Sequence, residues 1–248
     1  DRAMFHAKSQ GRNNFQLFND MGSKDMGKKE LYIQARLSQA IREARIQVWY
    51  QPLVDVEPGP DGRMRLVGVE ALARWHDPDI GWIQPVSFIP MAESLGLIGE
   101  LGQQVRLQAF EQFAKWLPIH PKLTLSINIS KRQLFAVDFI NRLMDDLATY
   151  GLEPGHLVLE VTESVALMDV DFAEDRLRQL NVMGFTLSID DFGTGYASLS
   201  QLHDIPVAEL KIDISFVRRI HTKAGLRIVQ SIASLAQALS LRTVADGV

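Results

Sequence analysis

Apolar residues along this chain switch repeatedly between helical and alternating spacing. From Lys29 to Arg45, residues Ile33, Leu37, Ala40, Ile41 and Ala44 recur at helical spacing and predict a helix. Val48 to Val54 then reads as a strand, Pro58 to Gly62 as a turn, and Arg65 to Ala71 as a second strand. These two strands can pair as a hairpin. Beyond them helices and strands follow one another. Helices are predicted over Phe88–Leu97 and Leu101–Trp116, a strand over Leu123–Ile129, and a helix over Phe135–Tyr150. A strand at Leu157–Val161 leads to a helix at Phe172–Met183, and a strand at Thr186–Ile189 to a short helix near Leu199. A strand at Glu209–Ile212, a helix at Gly225–Leu239 and a strand at Arg242–Ala245 complete the pattern.

Alternating strands and helices predict a parallel sheet covered by helices. The strands are mostly apolar, and seven of them fit a closed barrel better than an open sheet. A doubly wound sheet usually carries a glycine-rich phosphate turn after its first strand, and none is present here. A (β/α)8 barrel needs one strand more than the seven counted.

Composition narrows the chemistry. The chain has 248 residues, 46% hydrophobic and 23% charged, enough for one large core or two small ones. The net charge of −4 gives no basic face for DNA or RNA. No apolar run has membrane-spanning length, so no membrane contact by this segment is expected. There are no cysteines, which excludes disulfides, thiolate catalysis and cysteine-held zinc. The six histidines are scattered, with no His-Glu-x-x-His pair. Any metal must therefore be held mainly by Asp, Glu and Asn, which favours Mg²⁺ or Mn²⁺.

Candidate ligands stand at the predicted strand ends, where barrel enzymes place their chemistry. Glu70 ends the second strand, Asn128 the third, Glu160 the fourth, and the adjacent acids Asp190 and Asp191 the fifth. Lys211 and Asp213 end the sixth strand and Asp246 the seventh. Each has a bland alternative as an ion-pair partner or helix cap. Together, at corresponding positions, buried acids in this number must be paired or bound to metal. Such a set suits two cations about 3.5–4 Å apart, clamping the attacking and leaving oxygens of a displacement at phosphorus. Lys211 would orient the attacking water or neutralise developing charge, and Arg74 suits a phosphate oxygen.

The motifs in order resemble those of the EAL-domain cyclic di-GMP phosphodiesterases. They are Tyr50-Gln51-Pro52, Glu70-Ala71-Leu72 within Glu-Ala-Leu-Ala-Arg-Trp, Phe88-Ile-Pro-x-Ala-Glu93, and Asn128-x-Ser130. Glu160-Val-Thr-Glu163, Asp190-Asp-Phe-Gly-Thr-Gly-Tyr and Lys211-Ile-Asp213 follow. The resemblance implies an α/β fold, a modified TIM (β/α)8 barrel with an antiparallel first strand, its eighth strand apparently absent from this chain. It implies hydrolysis of cyclic di-GMP to linear pGpG with two divalent metals, Mg²⁺ or Mn²⁺. Metal ligands would be Glu70, Asn128, Glu160, Asp190, Asp191 and Asp246. Lys211, Glu70, Asp191 and Asp246 would form the catalytic group, with Lys211 on the nucleophilic water.

Gln51 and Arg74 would contact substrate, and Glu163 would anchor the loop 191–198, which couples the site to dimerisation. A homodimer and a cytoplasmic location are expected. Residues 1–18 resemble the end of a GGDEF, or diguanylate cyclase, domain; 19–29 read as a linker and 30–248 as the EAL domain. Asp246 stands where the family usually has Glu, one methylene longer. The alternative expectation is a weak or inactive cyclic di-GMP receptor.

Overall fold

The computed structural model describes residues 24–57, 59, 62–166, 171–194, 202 and 204–247. Its first helix, α1, runs Lys24–Arg42. It starts five residues before the predicted Lys29, inside the segment read as a linker, because Lys, Met and Glu there are good helix formers. The cyclase-like segment 1–18 and the short helix near Leu199 lie outside the described residues.

Strands β1 (Ile46–Asp55) and β2 (Arg65–Asp77) form the predicted antiparallel hairpin, with Gln51 opposite Glu70. A third strand, β3 (Gly81–Ile83), folds back on the end of β2. Three residues give too little periodicity to read from sequence. Helices α2 (Pro85–Ser94) and α3 (Ile98–Trp116) follow. Proline at the first position of α2 costs no hydrogen bond, since that N–H has no helical partner.

Parallel strands then alternate with helices. They are β4 (Thr124–Asn128), β5 (Leu157–Thr162), β6 (Thr186–Phe192), β7 (Glu209–Ile212) and β8 (Arg242–Ala245). Between them lie α4 (Lys131–Leu134), α5 (Phe139–Tyr150), α6 (Glu163–Ala166), α7 (Asp171–Val182), α8 (Ile214–Val217) and α9 (Lys223–Ala238). The strand order is β1-β2-β4-β5-β6-β7-β8, with β3 on the outer end of β2. The chain thus adopts the expected α/β fold of barrel type with an antiparallel first strand. The additional strand, β3, is not an eighth barrel stave. Among the described residues, β1 and β8 are the two ends of the sheet path.

The strand period of two separates this sheet into two chemistries. Val69, Ala71, Leu125, Ile127, Leu159, Val161, Leu187, Ile189, Leu210 and Ile212 point outward and pack with the helices in one apolar layer. Burial of each such Val, Leu or Ile side chain contributes roughly 1.5–3 kcal/mol. The alternate positions, Glu70, Ser126, Asn128, Glu160, Ser188, Asp190, Glu209 and Lys211, face the other way. A smaller core joins α1 to the hairpin through Leu37, Ile46, Trp75, Phe88 and Leu101. The sheet therefore hides its apolar face under helices and gathers its polar face at the centre.

Candidate active site

Lys211 sits at the centre of the polar face and is 1% exposed. Its ammonium donates to Glu70 Oε2 at 2.9 Å and to Glu160 Oε2 at 2.8 Å, and lies 3.3 Å from Asp190 Oδ1. Four different strands supply these groups, so only the folded sheet brings them together. Asn128 Nδ2 donates to the other Glu70 oxygen at 2.9 Å. Glu160 Oε1 is buried and has no hydrogen-bond partner among the described residues. Burial, followed by the charge of Glu70, raises the Glu160 carboxyl well above its ordinary range. Burial alone would lower the Lys211 pKa, but the charges of Glu160, Glu70 and Asp190 outweigh it and raise it. Lys211 is therefore a fixed cation at neutral pH.

The end of β6 is built differently. Its register with β7 breaks between Ile189 and Phe192, and Asp191 there has φ of 56°. That left-handed backbone is uncommon for residues with a side chain, though Asp tolerates it better than most. Loss of hydration, then the charges of Asp190 and Asp213, push the Asp191 carboxyl up to about 6. Gly193, at φ 97°, donates its N–H to Glu163 Oε2 at 2.8 Å. Any side chain at 193 would strike Phe216, 2.8 Å from the position of its Cβ. Glu163 opens α6 directly after β5 and is itself buried. Residues 195–198 of the loop it was expected to anchor lie outside the described residues.

Glu70, Asn128, Glu160, Asp190 and Lys211 thus form one connected cluster. Asp246 stands beside it: burial, then the opposing charges of Lys211 and Glu70, set a raised carboxyl pKa. Its carboxylate makes no hydrogen bond or ion pair to the cluster among the described residues. Gln51 lies across from Glu70 in the hairpin register, and Arg74 stands four residues further along β2, on the same face. Arg74 donates to the carbonyl of Ala73 at 2.9 Å and lies over the ring of Trp49. Sequence reasoning missed Ser126 and Ser188, whose buried hydroxyls lack partners among the described residues. Each stands two residues before a predicted ligand, Asn128 or Asp190, so the strand period could have found them.

The donor set suits a hard cation. It offers carboxylate and amide oxygens and an orphaned buried oxygen on Glu160. Burial and then the charge of Glu70 push that carboxyl above its ordinary range, a setting that a neutralising cation would relieve. Among the described residues no three acidic or imidazole groups already surround one point. Glu70, Glu160 and Asp190 gather on the Lys211 ammonium, so a cation held there would share these carboxylates with it.

Comparison with known proteins agrees with this arrangement. The family model described as "EAL domain" matches residues 34–248. The chain is 40% identical over its whole length to the bifunctional diguanylate cyclase/cyclic di-GMP phosphodiesterase MucR of Pseudomonas aeruginosa, covering 36% of that protein. It is 36% identical over its whole length to the cyclic di-GMP phosphodiesterase PdeR of Escherichia coli K12, covering 37% of it. The chain thus spans about a third of the length of these relatives. A solved structure described as the PaMucR phosphodiesterase in complex with c-di-GMP superposes with a TM-score of 0.81 at 39% identity, over 88% of this chain and 87% of that one. No helix among the described residues is long and apolar enough to cross a membrane. The match over residues 34–248 and the inward-facing acids on successive strands lead to one conclusion: this chain belongs to the EAL-domain family.

Proposed function

We propose that this domain hydrolyses cyclic di-GMP to linear pGpG by in-line attack of water on a phosphodiester. The observation that carries the proposal is the sharing of one buried ammonium, Lys211, by three inward carboxylates, with Glu160 Oε1 left unpartnered. The names of the relatives, at 36–40% identity, support the same substrate. Glu70, Asn128, Glu160, Asp190 and Asp191 would hold two divalent cations, Mg²⁺ or Mn²⁺, with Asp246 as a further ligand or water contact. When bound, the cations supply Lewis acidity at phosphorus and a more acidic water.

The protein's own groups do the rest. Lys211 stays protonated, so it cannot serve as the general base; it orients water and balances charge that develops on the phosphate. Glu70 and Glu160 hold that ammonium in place from two sides. Arg74 offers its planar fork to a phosphate oxygen, and Gln51 lines the same face. Glu163 fixes the Gly193 end of the loop that follows Asp191. In the family this loop couples the site to pairing of two copies, and we place a homodimer within the proposal. Asp246, a shorter side chain than the family's usual Glu, is the feature that favours a binding receptor over an enzyme.

The test is chromatography of cyclic di-GMP incubated with the protein and Mg²⁺ or Mn²⁺, with Asp190→Asn run in parallel. The proposal expects pGpG from the wild type and none from the variant. Binding without hydrolysis by the wild type would establish the receptor instead.

A further inference from the structure

The face that bears Glu70 continues along β2 to the rim of the sheet, and there it becomes aromatic. Leu72, Arg74 and His76 follow Glu70 at every second position, growing more exposed. Trp49 lies opposite Leu72 across the hairpin, and Trp82 opposite His76 across β3. The two indoles meet edge to face at 5.2 Å between ring centres, and His76 meets Trp82 the same way at 5.0 Å. Yet Trp49 is 51% and Trp82 49% exposed. Tryptophan is among the most deeply buried side chains on average, so two adjacent half-bare indoles call for an occupant. Trp75, one position from Arg74 on the opposite face, is by contrast fully buried.

We infer that Trp49 and Trp82 form a shelf for one purine base of the substrate, the base stacking on one indole face with the other, nearly perpendicular ring at its edge. The inference rests on the proposed cyclic dinucleotide reaction and adds the residues that would read its base. Arg74 fixes the geometry. Its guanidinium carbon is 5.8 Å from the centre of the Trp49 ring, and Arg74 shares its face of β2 with Glu70. A phosphate paired with Arg74 has its attached nucleoside within reach of the indoles. Stacking on an aromatic ring accepts any flat base and prefers the larger purines, which suits a ligand carrying two guanines. A second copy of the chain would need an apolar surface broader than two rings flanked by arginine and histidine.

Indole fluorescence tests the shelf without turnover. Cyclic di-GMP titrated in Ca²⁺ should quench the wild type, and Trp49→Phe and Trp82→Phe should each remove part of that quench. Trp49→Ala and Trp82→Ala should weaken binding about 5- to 100-fold, while the Phe variants recover most of the affinity. In Mg²⁺ the Ala variants should show raised KM with kcat held, because the stack is made equally in ground and transition states.

Alanine variants with native circular dichroism and unchanged affinity would overturn the shelf. If those variants instead shift sedimentation toward monomer at unchanged affinity, the shelf is a contact between copies, and the inference also falls. A wild type that fails to bind cyclic di-GMP overturns both the shelf and the proposed reaction. A wild type that binds and is quenched without hydrolysis overturns only the reaction.

Discussion

The ends of β5 and β6 lie side by side, with Glu160 paired to Ser188 and Thr162 to Asp190, yet they hold their carboxylates in opposite ways. On β5 the ladder is unbroken, Glu160 is 1% exposed, and its charge is met by a neighbour's ammonium. On β6 the ladder to β7 breaks, and the backbone of Asp191 turns through a positive φ. A carboxylate on a regular buried strand cannot move, so the fold must bring a cation to it. A carboxylate on a broken strand end is aimed by the backbone and stays closer to solvent. The first setting supplies fixed charge, and the second supplies a group free to adjust to what binds. Strain of this sort persists only where surrounding contacts determine it, here the Gly193–Glu163 hydrogen bond.

The largest expected effect breaks the fixed side. Lys211→Met leaves Glu70 and Glu160 buried without their cation, a loss of about 3–5 kcal/mol in metal-free protein at neutral pH. Urea denaturation should show it, and acid or Mg²⁺ should restore part of it by neutralising the carboxylates. Glu160→Gln leaves Lys211 with Glu70 and Asp190 as charged partners, so its stability cost should be smaller than that of Lys211→Met. Turnover of cyclic di-GMP, followed by chromatography, should nonetheless drop about 10²-fold or more.

The adjustable side is tested by pH. The folded protein holds the Asp191 proton to about 6, whereas an unfolded chain releases it near about 4. Between those values the native state binds more protons than the unfolded one, so stability falls as pH rises and levels off above about 6. Thermal melts of metal-free protein should show that limb, and Asp191→Asn should flatten it. The smallest effect belongs to the periphery. Asp246→Glu restores the missing methylene, and kcat should rise several-fold; an unchanged or lower rate would show that Asp246 is not a weak point.

The period of two made the fixed side legible from sequence. Asn128, Glu160 and Lys211 stand at or near strand ends after apolar neighbours; Glu70, expected at a strand end, lies mid-strand because β2 runs on to Asp77, yet the same period turns it inward with the others. The broken side was legible only in part. Adjacent acids and the glycine at 193 marked a tight turn, but the register shift at 189–192 depends on how β7 pairs with β6, which is a long-range choice. The Trp49–Trp82 contact was hidden for a related reason, since it exists only because the three-residue β3 doubles back on β2. The early start of α1 escaped because Gly27 and the charged residues around it carry no apolar period.

The central claim is that the cluster around Lys211 is a divalent-cation site built on β2, β4, β5 and β6. Free Mn²⁺ has a sharp paramagnetic resonance spectrum that weakens on binding, so titrating the protein with Mn²⁺ in the presence of cyclic di-GMP tests it most directly. The account predicts loss of signal equivalent to two ions per chain in the wild type, and recovery of most of that signal in Glu160→Gln. Undiminished Mn²⁺ signal with the wild type, or equal loss in the variant, would contradict it.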